Sequence, residues 1–219
     1  MLYCPECFQQ FKINGYFSQK IPKKEISLYF PKVLFPKQIH SNKVFYLEKI
    51  DSSILEGDAI ITTLKNLTIG VQTADCLPIL VADKNKKVIG AIHAGWRGTL
   101  SGILKKTLEK ILSLGIDPED ILIAIGPHIQ SCCYEVGEDL IELLPDKFKT
   151  SPYLIKRDES FYLNLSHLNL FQAKDLGIPE KNIWISKECT SCNKEKYHSY
   201  RREKNYLYSQ VSIITLKDV

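Results

Sequence analysis

The sequence is poor in histidine, with only five among 219 residues. Multicopper oxidase centres need many histidine ligands, so this number argues against such a centre of the usual kind. Long hydrophobic runs are also lacking, since runs such as ILIAIG are far too short to span a bilayer. The start of the chain has no basic segment followed by an apolar one, as a signal peptide would. We therefore expect a cytoplasmic protein with no membrane partner.

Clustered positive charge is lacking as well. The formal net charge is +4, and lysines are scattered along the sequence. A surface that binds nucleic acid needs clustered charge, so no nucleic-acid partner is expected. A mild positive charge still favours small anionic substrates. With 44% hydrophobic and 25% charged residues, a chain of this length can bury a core without disulfides.

The elements predicted from residue patterns interleave strands and helices without strict alternation. The predicted strands are Lys32–Ile39, Lys43–Leu47, Leu67–Val71, Leu77–Ala82, Val88–His93, Ile121–Ile125, Ile183–Ser186 and Val211–Thr215. The predicted helices are Leu100–Leu114, Glu138–Leu144 and Leu165–Leu176. This order predicts an α+β fold with mixed β-sheets and flanking helices. No linker or repeat divides the chain, so we expect a single domain over residues 1–219.

One predicted hairpin pairs a cysteine with a histidine. Two apolar runs flank DKNKK, and a turn over residues 83–86 would place Cys76 directly opposite His93. Zinc bonds of about 2.3 Å to sulfur and about 2.0–2.1 Å to nitrogen fit such a pair. A bulge at Pro78, which lacks an amide hydrogen, would break this register. From the pattern alone, Cys76 is a buried thiol, a nucleophile activated by His93, or a metal ligand.

The loop after His93 reads HAGWRGT and leads into a predicted helix. Gly95 and Gly98 permit a tight backbone path. Free amides at the helix start, beside Arg97, form a candidate anion site. Trp96 is either a core residue or a stacking surface for an aromatic ligand.

The seven cysteines include two pairs with C-x-x-C spacing, Cys4/Cys7 and Cys189/Cys192. Two such pairs can build a structural zinc site of four cysteines, provided that the chain ends meet. In a reducing compartment, thiols or metal ligands are favoured over disulfides. The adjacent Cys132 and Cys133 are predicted to be buried structural thiols.

Six segments together resemble the motifs of a known family. They are QIHSNKV, EGDAIITT, TADCLPIL, AIHAGWRGT, GPHIQSCCYEVG and HSYRRE, and they extend from about Lys37 to the C-terminus. In this order they resemble the YfiH-type family, also called laccase-domain or polyphenol-oxidase-like, which includes proteins named peptidoglycan editing factors. TADC followed by HAGWRG is the most specific pair.

The resemblance implies a compact α+β fold with mixed sheets, as a monomer or weak homodimer. It implies a Zn²⁺ site made of His40, Cys76 and His93, which would also be the catalytic residues. The implied activity is zinc-dependent phosphorolysis of purine nucleosides (adenosine, inosine, guanosine and methylthioadenosine) together with adenosine deamination. Its small-molecule partners would be a nucleoside and phosphate. An older copper assignment is attached to the family, and the few histidines disfavour it.

Three cationic residues are predicted to bind substrate or phosphate: Arg97, Lys20 and Arg201. The family often has an arginine near the position of Lys20, and a lysine is a point charge that cannot form the same bidentate contact. The family also usually has glycine where this sequence has Ser41.

Three other functions remain as alternatives. A metal-free hydrolase with a Cys76–His93 dyad would need a thiolate of low pKa but not His40. A copper-dependent polyphenol oxidase would need more histidines. A non-enzymatic accessory factor would turn over no nucleoside. The three-residue set with His40 favours the zinc enzyme.

Overall fold

A computed structural model describes residues 1–50 and 55–217. Its strands are β1 (Leu2–Tyr3), β2 (Asn14–Ser18), β3 (Ile21–Pro22), β4 (Val33–Leu34), β5 (Val44–Leu47), β6 (Ala59–Thr62), β7 (Thr68–Thr73), β8 (Leu77–Asp83), β9 (Ile89–Ala94), β10 (Ile121–Ile125), β11 (Glu135–Val136), β12 (Leu154–Arg157), β13 (Ser160–Leu163), β14 (Ile183–Ile185) and β15 (Tyr208–Thr215). Its α-helices are α1 (Glu6–Gln10), α2 (Ile26–Tyr29), α3 (Trp96–Leu100), α4 (Ile103–Leu112), α5 (Glu138–Glu142), α6 (Leu165–Asp175) and α7 (Tyr200–Glu203). Short 3₁₀ helices span Lys23–Glu25, Pro118–Asp120, Asp146–Phe148 and Glu180–Asn182.

The strands form three sheets. The first has the order β1-β2-β15-β7-β4, with β3 also paired to β15, and the second has the order β14-β10-β8-β9-β6-β5. A small third sheet has the order β11-β13-β12. Both large sheets combine antiparallel pairs with parallel ones, the parallel pairs being β4–β7, β5–β6 and β10–β14. The predicted α+β fold with mixed sheets is confirmed.

The second sheet is covered on both faces, which explains its continuous apolar runs. Alternate residues of β8 point to opposite sides, as the pleat of a strand requires. Ile79 and Val81 join the hydrophobic cluster that contains Leu108 of α4. Leu80 and Ala82 join the other cluster, which contains residues of β7. The sheet is therefore a central layer packed on both faces.

The helix predicted over residues 100–114 begins earlier and is broken. Helix α3 starts at Trp96, and Gly102, with a φ of 78°, separates it from α4. The buried side of α4 consists of Ile103, Leu104, Thr107, Leu108 and Ile111, and Gly115 follows the helix with a φ of 80°, which favours glycine. Within residues 1–50 and 55–217, no helix has the length and apolar character needed to cross a membrane.

The register of the β8–β9 hairpin differs from the prediction. The predicted turn forms, since the Lys86 N–H donates to the Asp83 carbonyl at 3.0 Å. The Asp83 carboxylate also accepts from the N–H groups of Lys87 and Val88, at 2.6 and 2.9 Å, and these bonds lengthen the loop. The strands consequently pair two residues further on, so that His93 lies opposite Pro78 rather than Cys76.

Candidate metal and active site

Three side chains meet at the edge of the central sheet where β8 begins and β9 ends. Cys76 directly precedes β8, His93 lies in β9, and His40 lies in the loop between β4 and β5. One ligand atom from each of the three lies within 4.8 Å of the others. The two imidazole rings are 4.7 Å apart, with their planes at 86°. His93 is buried and His40 is exposed, so the group is open to solvent on one side.

A fully buried carboxylate, that of Asp58, holds two of these residues in place. It accepts hydrogen bonds from the backbone N–H groups of Ile39, His40 and Ser41, at 3.3, 3.0 and 2.6 Å. His40 has a φ of 58°, a left-handed conformation that non-glycine residues seldom adopt. The carboxylate also bonds to Nδ1 of His93 at 2.8 Å. Asp58 thus fixes the backbone of one histidine and the ring of the other.

The bond from Asp58 determines which nitrogen of His93 is available. Because Nδ1 faces the carboxylate, Nε2 is left for the Cys76 side, the arrangement in which a carboxylate orients a metal-binding imidazole. Burial raises the pKa of Asp58. Its hydrogen bonds with His93 and Ser41 outweigh burial and lower that pKa to about 2. The carboxylate is therefore charged at neutral pH.

The surroundings of Cys76 favour a thiolate. Burial raises the pKa of its thiol, but the adjacent His93 and His40 outweigh burial and lower that pKa to about 6. In turn, burial lowers the pKa of His93, while the Cys76 thiolate and Asp58 raise it to about 9. The thiolate is the form of cysteine that binds a metal or attacks a substrate.

Gly95 packs tightly against Cys76 and His40, and a larger residue there would disturb both. A Cβ at this position would lie 3.0 Å from Cys76 Sγ and 3.3 Å from His40 Cδ2. We expect Gly95→Ala to force these side chains apart and to weaken zinc binding by about tenfold to a hundredfold, the range seen when supporting groups of metal sites are changed. A competition titration with a chromogenic zinc chelator measures the change.

Gly90, which lies in β9 a few residues before Gly95, offers the matched control. A Cβ there would meet only ordinary contacts, the nearest being the Ile60 carbonyl oxygen at 3.6 Å. Gly90→Ala should leave zinc affinity unchanged. Equal affinities for the two variants would contradict the steric role of Gly95.

The group lies in the wall of a cavity of about 730 Å³. Trp96 and Arg97 form one side, with the guanidinium carbon 4.2 Å from the centroid of the indole. Tyr200 and Tyr206 also line the cavity and stack on each other, with their centroids 4.5 Å apart. Lys23 adds a second cation. A ligand that combines a flat aromatic ring with an anion suits these walls.

Sequence comparison identifies the family. The family model described as multi-copper polyphenol oxidoreductase laccase matches residues 19–217. The chain belongs to this laccase family. A purine nucleoside phosphorylase from Aquifex aeolicus is 39% identical over 185 residues, which are 84% of each chain. A protein named adenosine deaminase RL5, from an unknown prokaryotic organism, is 32% identical over 182 residues, covering 78% of this chain and 70% of that protein.

Solved structures confirm the laccase-family fold. The crystal structure of YlmD from Geobacillus stearothermophilus superposes with a TM-score of 0.78 at 25% identity, covering 89% of this chain and 78% of that one. The Bacillus licheniformis hypothetical protein YfiH gives a TM-score of 0.76 at 27% identity, covering 89% and 79%. The predicted YfiH-type resemblance is thereby confirmed.

Two of the three cations predicted to bind substrate or phosphate have other partners in the structure. The Lys20 ammonium donates to the Lys194 carbonyl at 2.8 Å. The Arg201 guanidinium donates to the Glu135 carbonyl at 2.8 Å and lies over the Tyr134 ring. Among the residues that the structure describes, neither of the two lines the cavity, whereas Arg97 does. Lys23, for which no sequence motif gave a signal, lines it as well.

Asp75, which precedes Cys76 in the laccase-family segment TADC, faces away from the metal-binding group. Its carboxylate accepts from the hydroxyls of Thr190 and Ser199, at 2.6 and 2.9 Å, and from the Arg201 N–H at 2.6 Å. It therefore joins the segment before β8 to two segments of the C-terminal region. This agrees with a structural role rather than that of a general base.

The structure does not bring the two C-x-x-C pairs together, so the zinc site that the sequence left open between Cys4/Cys7 and Cys189/Cys192 does not form. Cys4 and Cys7 pack against the hydrophobic cluster that contains Phe8. Cys189 and Cys192 lie beside a different pair, Cys132 and Cys133. The prediction that these last two are buried thiols is wrong, because Cys132 is exposed and Cys133 is half-buried. The contact joins residues about 60 positions apart, which C-x-x-C spacing does not reveal.

Proposed function

We propose that this chain is a zinc-dependent purine nucleoside phosphorylase that also deaminates adenosine. Its substrates would be adenosine, inosine, guanosine and methylthioadenosine. The observation that carries this proposal is the meeting of His40, Cys76 and His93 in the wall of a cavity lined by aromatic and cationic side chains. Relatives named purine nucleoside phosphorylase and adenosine deaminase support it.

The donor set suits zinc. Two imidazole nitrogens and one thiolate are common zinc ligands, and three protein ligands leave a fourth position for a reactant. Bound there, zinc would acidify a water molecule or neutralise charge on a phosphate oxygen. A laccase-type copper centre would need more histidines than His40 and His93, and among the described residues no other histidine belongs to a candidate metal-binding group. His167 lies on α6, apart from the group.

The cavity walls provide for both substrates. Arg97 and Lys23 would bind phosphate, and the tyrosine pair or Trp96 would stack on the purine.

In phosphorolysis, a phosphate oxygen forms a bond to the ribose C1′ while the bond from C1′ to the purine nitrogen breaks. The electron pair of the broken bond leaves with the purine. In deamination, water adds to the purine C6 and ammonia leaves. Asp58 would keep His93 in the ligating tautomer throughout.

A metal-free cysteine hydrolase is the second candidate, because one further observation favours it. Asp58, His93 and Cys76 are linked in the order orienting acid, base and nucleophile. Such a triad has no role for His40. In the structure the His40 ring stands perpendicular to that of His93 and within reach of Cys76, which favours the metal site.

Product analysis with adenosine tests the proposal. We expect purified protein of known zinc content to form adenine and ribose 1-phosphate when phosphate is present, because phosphate is the attacking group. Without phosphate, we expect inosine alone. Chromatography separates the four compounds. If zinc-loaded protein forms neither adenine nor inosine, adenosine is not its substrate and the hydrolase becomes the better candidate.

A further inference from the structure

A second group of metal-binding side chains lies apart from the cavity. It consists of Cys132, Cys133, Cys189 and Cys192, whose sulfur atoms all lie within 4.8 Å of one another. Cys192 Sγ is 3.5 Å from Cys132 Sγ and 3.3 Å from Cys133 Sγ. Tetrahedral zinc with bonds of about 2.3 Å would hold four sulfurs about 3.8 Å apart. We propose that these four cysteines bind a structural Zn²⁺ ion.

Hydrophobic packing does not account for this tetracysteine group. A free cysteine that serves as a small core residue is usually buried, yet Cys132 and Cys192 are exposed and Cys133 is half-buried. Disulfide bonds do not account for it either. All seven cysteines lie in the described part of the chain and none is disulfide-bonded there. The shortest distances between sulfurs of the group are well above the roughly 2.05 Å of a disulfide.

The backbone around Cys189 is arranged to support a thiolate. The Gln130 N–H points at Cys189 Sγ from 3.4 Å. Hydrogen bonds from amides to sulfur are what a ligating cysteine needs from its surroundings.

The four sulfur atoms of the tetracysteine group lie close enough together for one ion to contact all of them. Four thiolates at these distances repel one another, and a divalent cation at their centre would remove that repulsion and release the protons. Zinc favours such a soft, four-sulfur site.

The position of the group suggests what the ion does. Thr190, next to Cys189, donates its hydroxyl hydrogen to the Asp75 carboxylate, and Asp75 adjoins Cys76. Arg202 donates to the carbonyls of Thr190 and Ser191, at 3.0 and 2.7 Å, and so ties α7 to the same loop. With four protein ligands there is no open position for a reactant. The ion would therefore hold the C-terminal segment, including Tyr200 of the cavity, against the segment that carries Asp75 and Cys76.

Metal analysis of matched variants tests this second site. We expect two zinc ions per chain in the wild type, one in Cys192→Ser and one in His40→Ala, measured by elemental analysis after gel filtration. Cys4→Ser removes a half-buried thiol elsewhere and should retain both ions. The measurement needs no turnover, so it is decided separately from the proposed phosphorolysis.

A second measurement on the wild type covers the case in which Cys192→Ser does not fold. We expect zinc to protect all four cysteines of the group from iodoacetamide, as mapped by mass spectrometry, and to leave them reactive once it is removed. A wild type whose only zinc is lost in His40→Ala would overturn the proposal. So would a disulfide within the group, or iron in place of zinc.

Discussion

Replacing Cys76 with serine is expected to remove the metal held with His40 and His93 and to lower kcat/KM for adenosine phosphorolysis by about a thousandfold. A bound metal contributes several kcal/mol of charge stabilisation to a transition state, and a neutral hydroxyl binds zinc far more weakly than a thiolate does. Initial rates over a range of adenosine concentrations, with zinc content measured on the same samples, give the change.

Two comparisons make this result specific. Cys4→Ser removes a thiol whose Sγ donates to the Ile13 carbonyl at 3.8 Å, away from the cavity, and should retain full activity. Wild-type protein treated with a chelator should lose activity and regain it with zinc. If the chelated wild type keeps its phosphorolysis activity, the metal held by His40, Cys76 and His93 is not needed for the reaction, and its proposed role is wrong.

The proximity of three predicted metal ligands could be anticipated from the sequence, even though the hairpin register could not. The sequence motifs selected His40, Cys76 and His93, and the structure brings them together. The register was wrong by two residues because the carboxylate of Asp83 lengthens the turn. Side chains two residues apart share a face of a strand, so Cys76 stays on the side of His93. A shift of one residue would have separated them.

Contacts between distant segments account for what the sequence did not reveal. Asp58 lies in the motif EGDAI, but its bonds to the loop at residues 39–41 form only when β6 pairs with β9. The tetracysteine group likewise needs the parallel bridge between His128 and Cys189. Strands of two residues, such as β1, β3 and β11, are too short to show an alternating pattern.

Asp58→Ala is expected to damage both stability and metal binding. It would leave the N–H groups of the loop at residues 39–41 and the His93 ring without their acceptor, and losing one partner of a buried charged pair costs about 3–5 kcal/mol. Zinc affinity should fall by about tenfold to a hundredfold, because Asp58 orients His93 and holds the His40 backbone. Urea denaturation gives the free energy of unfolding, and chelator competition gives the zinc affinity.

Asp83→Ala separates the two effects. Asp83 is also fully buried and accepts from three backbone N–H groups, at the opposite end of β8 from the metal-binding residues. It should lower the free energy of unfolding without changing zinc affinity, because nothing that it holds touches His40 or His93. If the two variants bind zinc equally well, Asp58 supports only the fold. If only Asp58→Ala loses affinity, its carboxylate orients the histidines that bind the metal.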